Sequence, residues 1–147
     1  LDIIVRKEHV EPTVKKLRSI GQEREVFQLD PFHTTYYYEF NFKDISIDVM
    51  SEFKVKHTDG MYVLPFLEHS VQYHEIDGVE VPFCLLEDWY ILYQLMPGRE
   101  EKVERIEQYF RENGIKNKAS LEESLAGNLP KQDKMRTQKL LEAAQLV

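Results

Sequence analysis

Hydrophobic spacing is mostly strand-like up to Leu85 and helical after it, and that switch limits the folds open to this chain. Before it, apolar and polar residues alternate as on a strand with one buried face. Across 35–42, Tyr36, Tyr38, Phe40 and Phe42 point one way. Lys43-Asp44 reads as a tight turn, and 45–53 returns as a second strand. There Ile47 and Val49 share one face, and Ser46, Asp48, Met50 and Glu52 the other. Asp59-Gly60 marks a turn before the apolar run 61–66, and Ile76-Asp77-Gly78 separates strands expected over 71–75 and 79–83.

After the switch the spacing is helical. Helices are expected over 85–96, ended by Pro97-Gly98, and over 100–112, with Val103, Ile106 and Phe110 inward and Asn113-Gly114 as the stop. Ser120-Leu121-Glu122-Glu123 has the form of a capping box, with Leu121 and Leu125 facing inward. Beyond Pro130, a last helix is expected over 132–147. At the other end, 1–5 reads as a buried strand and 25–29 as a short one. Between them, 9–20 is a helix with Val10, Val14, Leu17 and Ile20 near one face and Gly21 as its stop. This order predicts an α/β (α+β) fold, a twisted mixed sheet flanked by helices. Residues 1–84 would be its sheet-rich core, and 85–147 a helical part of the same domain.

Composition narrows the function classes. With 147 residues, 42% hydrophobic and 31% charged, the chain is long enough to bury a core. It carries 19 Lys and Arg against 26 Asp and Glu, a formal charge of -7. That balance argues against broad binding to anionic surfaces: nucleic acid is permitted as a partner but not favoured, and no membrane is expected. No run of 18 apolar residues occurs, which fits a cytoplasmic location. The single cysteine, Cys84, excludes an intrachain disulfide and reads as a small buried residue. His9, His33, His57, His69 and His74 are scattered and lack i, i+4 zinc spacing. Trp89 is expected in the core, and Lys116, Lys118, Lys131, Lys134, Arg136 and Lys139 on a solvated helical face. The alternating strand aromatics are expected to pack, and would permit a homodimer.

Two acids stand out. Asp2 and Asp48 each sit within a run of apolar and β-branched residues, where a carboxylate is costly unless it meets solvent, a cation or a metal. Two carboxylates on neighbouring strands suit Mg2+, which takes few protein oxygens and completes its shell with water and phosphate oxygens. Such a site suits phosphoryl or nucleotidyl transfer, with a carboxylate to deprotonate the attacking hydroxyl. The plainer alternative is that both acids are exposed strand residues. A rival pattern, Asp48 with Glu52-Phe53-Lys54, has the residue types of a metal-dependent nuclease. Four residues along one strand separate those acids by roughly 13 Å, too far for one ion.

The segment Leu1-Asp2-Ile3-Ile4-Val5 resembles the second half of the Asp-x-Asp strand of the nucleotidyltransferase superfamily. More closely, the chain is similar to the small bacterial nucleotidyltransferase-like proteins, whose members include antibiotic-modifying and toxin-associated ones. Ile47-Asp48-Val49 matches that family's third acid, and 81–90, with Glu87-Asp88, its strand-to-helix entry. Gly98-Arg99 and Lys102 resemble its basic turn, and the match runs from Leu1 to Phe110. The resemblance implies a nucleotidyltransferase: transfer of a nucleoside monophosphate from a nucleoside triphosphate (NTP) to a hydroxyl of an acceptor, with Mg2+ (or Mn2+) as cofactor. It implies Asp2 as metal ligand, Asp48 as ligand or general base, and Arg99 and Lys102 as phosphate contacts. The family's Gly-Ser turn and first Asp are absent, so the sequence is expected to be a fragment whose upstream piece lies outside it. Tyr93 stands about where many relatives carry a helix lysine, and Arg99-Glu100-Glu101-Lys102-Val103 departs from Arg-x-Lys-Asp. These departures leave a non-catalytic binding or interaction module of the same fold as the alternative, and a metal-dependent nuclease as a lesser one.

Overall fold

In a computed structural model that describes residues 1–145, the chain divides between Lys56 and His57 into two units. The first holds β1 (Asp2–Ile4), α1 (Val10–Ile20), β2 (Gln22–Arg24), β3 (Tyr36–Phe42) and β4 (Ile45–Ser51). Its four strands form one mixed sheet in the order β1-β4-β3-β2. β1 lies parallel to β4, while β2-β3 and β3-β4 are antiparallel.

The apolar faces anticipated from spacing meet here. Val10, Val14 and Leu17 recur at helical spacing along α1 and bury themselves against Phe40, Ile47 and Val49, with Ile3, Tyr36, Tyr38 and Phe42 packed around them. Phe40 and Val49 are fully buried, whereas Ile20, at the helix end, stays exposed. Lys43 and Asp44 form the β3-β4 turn with φ of 48° and 64°. Two left-handed residues in succession are the mark of a type I′ turn, whose twist matches that of the strands it joins. Gly21 ends α1 because of a close approach: a Cβ there would stand 2.8 Å from the carbonyl oxygen of Asn41 on β3.

Two expectations for this unit are corrected. The strand expected over 25–29 lies earlier, at β2, because the chain pairs with β3 as soon as α1 stops. Residues 25–29 are irregular, and the Gln28 side chain closes the loop by bonding both backbone groups of Thr34 at 2.8 Å. β4 ends at Ser51, since Glu52 takes a left-handed φ of 54° that breaks the alternation. Phe53 then turns inward and meets Phe32 edge-on, ring centroids 6.0 Å apart.

β5 (Lys54–His57) spans the junction between the units, and β6 (Gly60–Val63) follows it. β7 (Val71–Ile76) and β8 (Val79–Cys84) form an antiparallel hairpin about Asp77 and Gly78, which again are both left-handed. The helices are α2 (Leu86–Leu95), α3 (Glu100–Asn113), α4 (Lys118–Leu125) and α5 (Lys131–Gln145). The strand-to-helix change therefore falls where the hydrophobic period changes. The last two residues of the helix expected over 132–147 lie outside the described residues. No helix among the described residues is long and apolar enough to cross a membrane.

α2 is the hub of this unit and packs on α3, α4 and α5. Tyr90, Ile91 and Leu92 are buried on it, as are Val103, Phe110 and Leu121 on its neighbours, and Tyr90 meets Phe110 edge-on, ring centroids 6.0 Å apart. Trp89 is only half-buried and stacks on Tyr93 instead of joining this core; Cys84 is half-buried as well. Glu87 and Asp88, in the first turn of α2, are both buried. Glu87 accepts hydrogen bonds from the backbone N–H of Asn117 at 2.9 Å and its side-chain amide at 3.2 Å. Ser120 donates to Asp88 at 2.5 Å. The capping-box reading is thereby corrected: α4 begins at Lys118, and Ser120, inside the helix, spends its hydroxyl on Asp88. Burial pushes the Asp88 carboxyl up to about 6; the Ser120 bond opposes that, and the charges of Glu87 and Glu123 reinforce it.

Two stability predictions follow from these contacts. Gly21→Ala should lower unfolding free energy by about 1–3 kcal/mol, since a backbone carbonyl blocks the added methyl; urea denaturation measures it. Asp88 holds its proton in the folded state up to about pH 6, while an unfolded aspartate releases it near ~4. Its contribution to stability thus falls as pH rises through that window and stays low above it. Asp88→Asn should abolish this slope and raise stability at neutral pH by about 2–3 kcal/mol, read from urea curves below and above the window.

Candidate functional site

A row of charge crosses the first unit's sheet. Asp2 on β1 is the register partner of Asp48 on β4. Asp48 is the partner of Glu39 on β3, and Glu39 of Arg24 on β2. Register partners present their side chains on one face. Because Ile3, Val49 and Phe40 are committed to α1, the charged row occupies the opposite face. The structure thus brings Asp2 and Asp48 side by side on adjoining strands.

Their surroundings differ. Asp2 is exposed and Asp48 half-buried. The Asp48 Oδ2 accepts a hydrogen bond from the Tyr37 hydroxyl at 3.1 Å, whereas its Oδ1 is buried with no hydrogen-bond partner among the described residues. Burial raises the Asp48 carboxyl above the ordinary aspartate range; the Tyr37 bond opposes this, and the charges of Asp2 and Glu39 add to it. Tyr37 is pushed up to about 12 by burial and by the adjacent Asp48 charge, so it stays a donor. Glu39 is drawn the other way in the row, with an Arg24 nitrogen 3.5 Å from its carboxylate.

Glu39 and Arg24 were not among the residues singled out from the sequence, and Tyr37 entered that reading only as one of the run of strand aromatics. The turn at Lys43-Asp44 carries the signal for two of them. A two-residue turn sets Phe42 opposite Ile45, and counting back along both strands sets Glu39 opposite Asp48. Tyr37 then stands two residues along, on the same face as Glu39.

Arg99 and Lys102 lie in the second unit. Arg99 immediately precedes α3 and is exposed; Lys102 is in the helix's first turn, its ammonium 4.9 Å from the centre of the Tyr93 ring. Of the nuclease-type pattern, Glu52 leaves the strand and with it the alternation that would align it with Asp48.

Paired carboxylates with an unpartnered buried oxygen suit a hard divalent cation that draws its remaining ligands from water and phosphate. Among the described residues, no group of three or more His, Cys, Asp or Glu side chains is placed to hold a metal ion by itself. The fit is therefore to a two-carboxylate share of a coordination shell.

No protein-family model matches the chain, and no curated protein matches it. Among solved structures, a Thermotoga maritima protein described as a "putative nucleotidyltransferase" shares the fold, with a TM-score of 0.53 over 76% of this chain and 70% of that one, at 19% sequence identity. The fold is nucleotidyltransferase-like, a mixed sheet with helices as expected from the sequence.

Tyr37→Phe removes the hydroxyl that donates to Asp48. It should lower stability by about 1–2 kcal/mol and raise the Asp48 pKa further, the latter seen by carboxyl-carbon NMR titration. An unchanged Asp48 titration would contradict the coupling.

Proposed function

We propose that the acidic face of the first unit is a nucleotidyl-transfer site. It would take a nucleoside triphosphate with Mg2+ or Mn2+ and pass a nucleoside monophosphate to a hydroxyl of an acceptor. The observation that carries this reading is the side-by-side register of Asp2 and Asp48, one oxygen of Asp48 being buried and unpartnered. A divalent ion, when bound, neutralises charge on the triphosphate oxygens. Asp2, the more exposed acid, is the proposed ion ligand.

Asp48 is a second ligand or the general base. As base, it takes the proton of the acceptor hydroxyl while that oxygen bonds to the α-phosphorus. The bond to the β-phosphate oxygen breaks and pyrophosphate leaves. A carboxylate with a raised pKa is a better proton acceptor than an ordinary one, and Tyr37 holds it in place.

A second reading has one observation in its favour. The absence of a three-ligand cluster among the described residues suits a non-catalytic binding module on the same fold. One experiment separates the two: calorimetry of the full-length protein with Mg2+ and each triphosphate, followed by transfer from α-labelled triphosphate. The enzyme reading expects saturable binding, and labelling that falls about 10²-fold or more in Asp2→Asn and Asp48→Asn with thermal stability retained. A folded protein that binds none of the triphosphates rules that reading out.

A further inference from the structure

Within the second unit lies a cavity of about 290 Å³, lined by Gln94 of α2, Glu100 of α3, and Gln132, Asp133 and Arg136 of α5. Every lining side chain is polar, so an occupant must exchange hydrogen bonds with it. Asp133 is 8% exposed, and its carboxylate has no hydrogen-bond or ion-pair partner among the described residues. A buried carboxylate without a donor is costly.

The usual local uses of such a residue are closed to it. Asp133 is the third residue of α5, where a carboxylate commonly reaches back to the backbone N–H just ahead of the helix. That position is Pro130, which has no N–H. Arg136, one turn on, is committed elsewhere: its Nε donates to Glu107 at 2.6 Å and a terminal nitrogen to Glu100 at 2.7 Å. This also corrects its placement on a solvated basic face. His57 is near, but both its ring nitrogens are engaged elsewhere: Nδ1 accepts from the Asp59 backbone N–H at 3.1 Å and Nε2 meets the Asn128 carbonyl at 2.7 Å. Gln94 adds a second unmet acceptor. Its amide nitrogen donates to the Tyr90 carbonyl and to Thr137, which fixes the amide's orientation and leaves Oε1 buried and unpartnered. Among the cavity's lining side chains, Asp133 and Glu100 outnumber the single guanidinium of Arg136.

We propose that this cavity binds a small organic cation bearing a primary ammonium group, with Asp133 as its counter-ion and Gln94 Oε1 as a further acceptor. An ammonium brings three donors and one compact charge to a carboxylate that receives neither a hydrogen bond nor an ion pair among the described residues. At ~30 Å³ for each water-sized group, the space admits about ten non-hydrogen atoms. An anion would face the Asp133 charge. A resident metal is disfavoured because Glu100 is held by Arg136, which leaves one free carboxylate. This site is independent of the nucleotidyl-transfer reading and stands or falls without it.

The probe is n-butylammonium, titrated into the labelled full chain and followed by amide NMR, with 1-butanol as the neutral match. Binding should be saturable, confined to the Gln94 side-chain amide and the amides of 131–136, and missing with 1-butanol. Asp133→Asn should weaken it by about tenfold or more. Should that variant fail to fold, Gln94→Met, which removes an acceptor without altering charge, should weaken it by a smaller factor. Equal responses to alcohol and ammonium, unchanged affinity in the folded variant, or no saturable response up to the solubility limit would each mean a cavity that holds water only.

Discussion

The parallel pairing of β1 with β4 is the constraint on which the rest of the first unit depends. It spans three residue pairs, and the middle one, Ile3 with Val49, is held on the α1 side by the apolar core. Because strand side chains alternate, burying Ile3 and Val49 forces Asp2 and Asp48 together on the other face. Like charges directly opposite one another repel. The hydrophobic contact of the middle pair, reinforced by the Phe40 and Ile47 packing on α1, therefore maintains an arrangement that electrostatics alone would undo. A slip of one residue would carry Asp48 into the core, at a far larger penalty.

Buried carboxylates in this protein fall into two kinds, and the difference guides how each is read. Glu87 and Asp88 both receive donors from the start of α4, so their burial belongs to helix packing: they tie α2 to its neighbour. Their place in the first turn of α2 also suits the partial positive charge of a helix start. Glu107 is matched in the same sense by Arg136 and Tyr90. Asp48 and Asp133 are not. Each is at least half-buried and retains acceptor capacity that no neighbour uses. Those unmet acceptors are the observations behind the two sites proposed above.

Much of the architecture was legible because it depends on local rules. The apolar stripe Val10, Val14, Leu17 and the alternation of Tyr36 to Phe42 bury the faces their spacing announced. Turns at Lys43-Asp44 and Asp77-Gly78 fell where the residues suggested. Even the Glu39–Asp48 pair follows from the length of one turn. Other features were opaque for a physical reason. Ser120 has the chemistry of a helix cap, yet it answers to a carboxylate 32 residues away. Arg136 reads as one of several solvated cations, yet α3 supplies it with two carboxylates. In such cases a tertiary partner outbids the local one, and nothing in the neighbouring sequence reports it.

By itself the sequence determined the strand-then-helix order, the two apolar faces and the presence of acids inside apolar strands, since periodicity and side-chain chemistry are properties of adjacent residues. Only the tertiary structure decided that β1 lies parallel to β4 in the register that sets Asp2 beside Asp48. It alone left the Asp133 carboxylate, beside a polar cavity, without a hydrogen-bond donor among the described residues. Parallel pairing is made by a crossover rather than a turn, so no turn residue encodes its register. A missing donor is the outcome of packing three helices, which no single segment specifies.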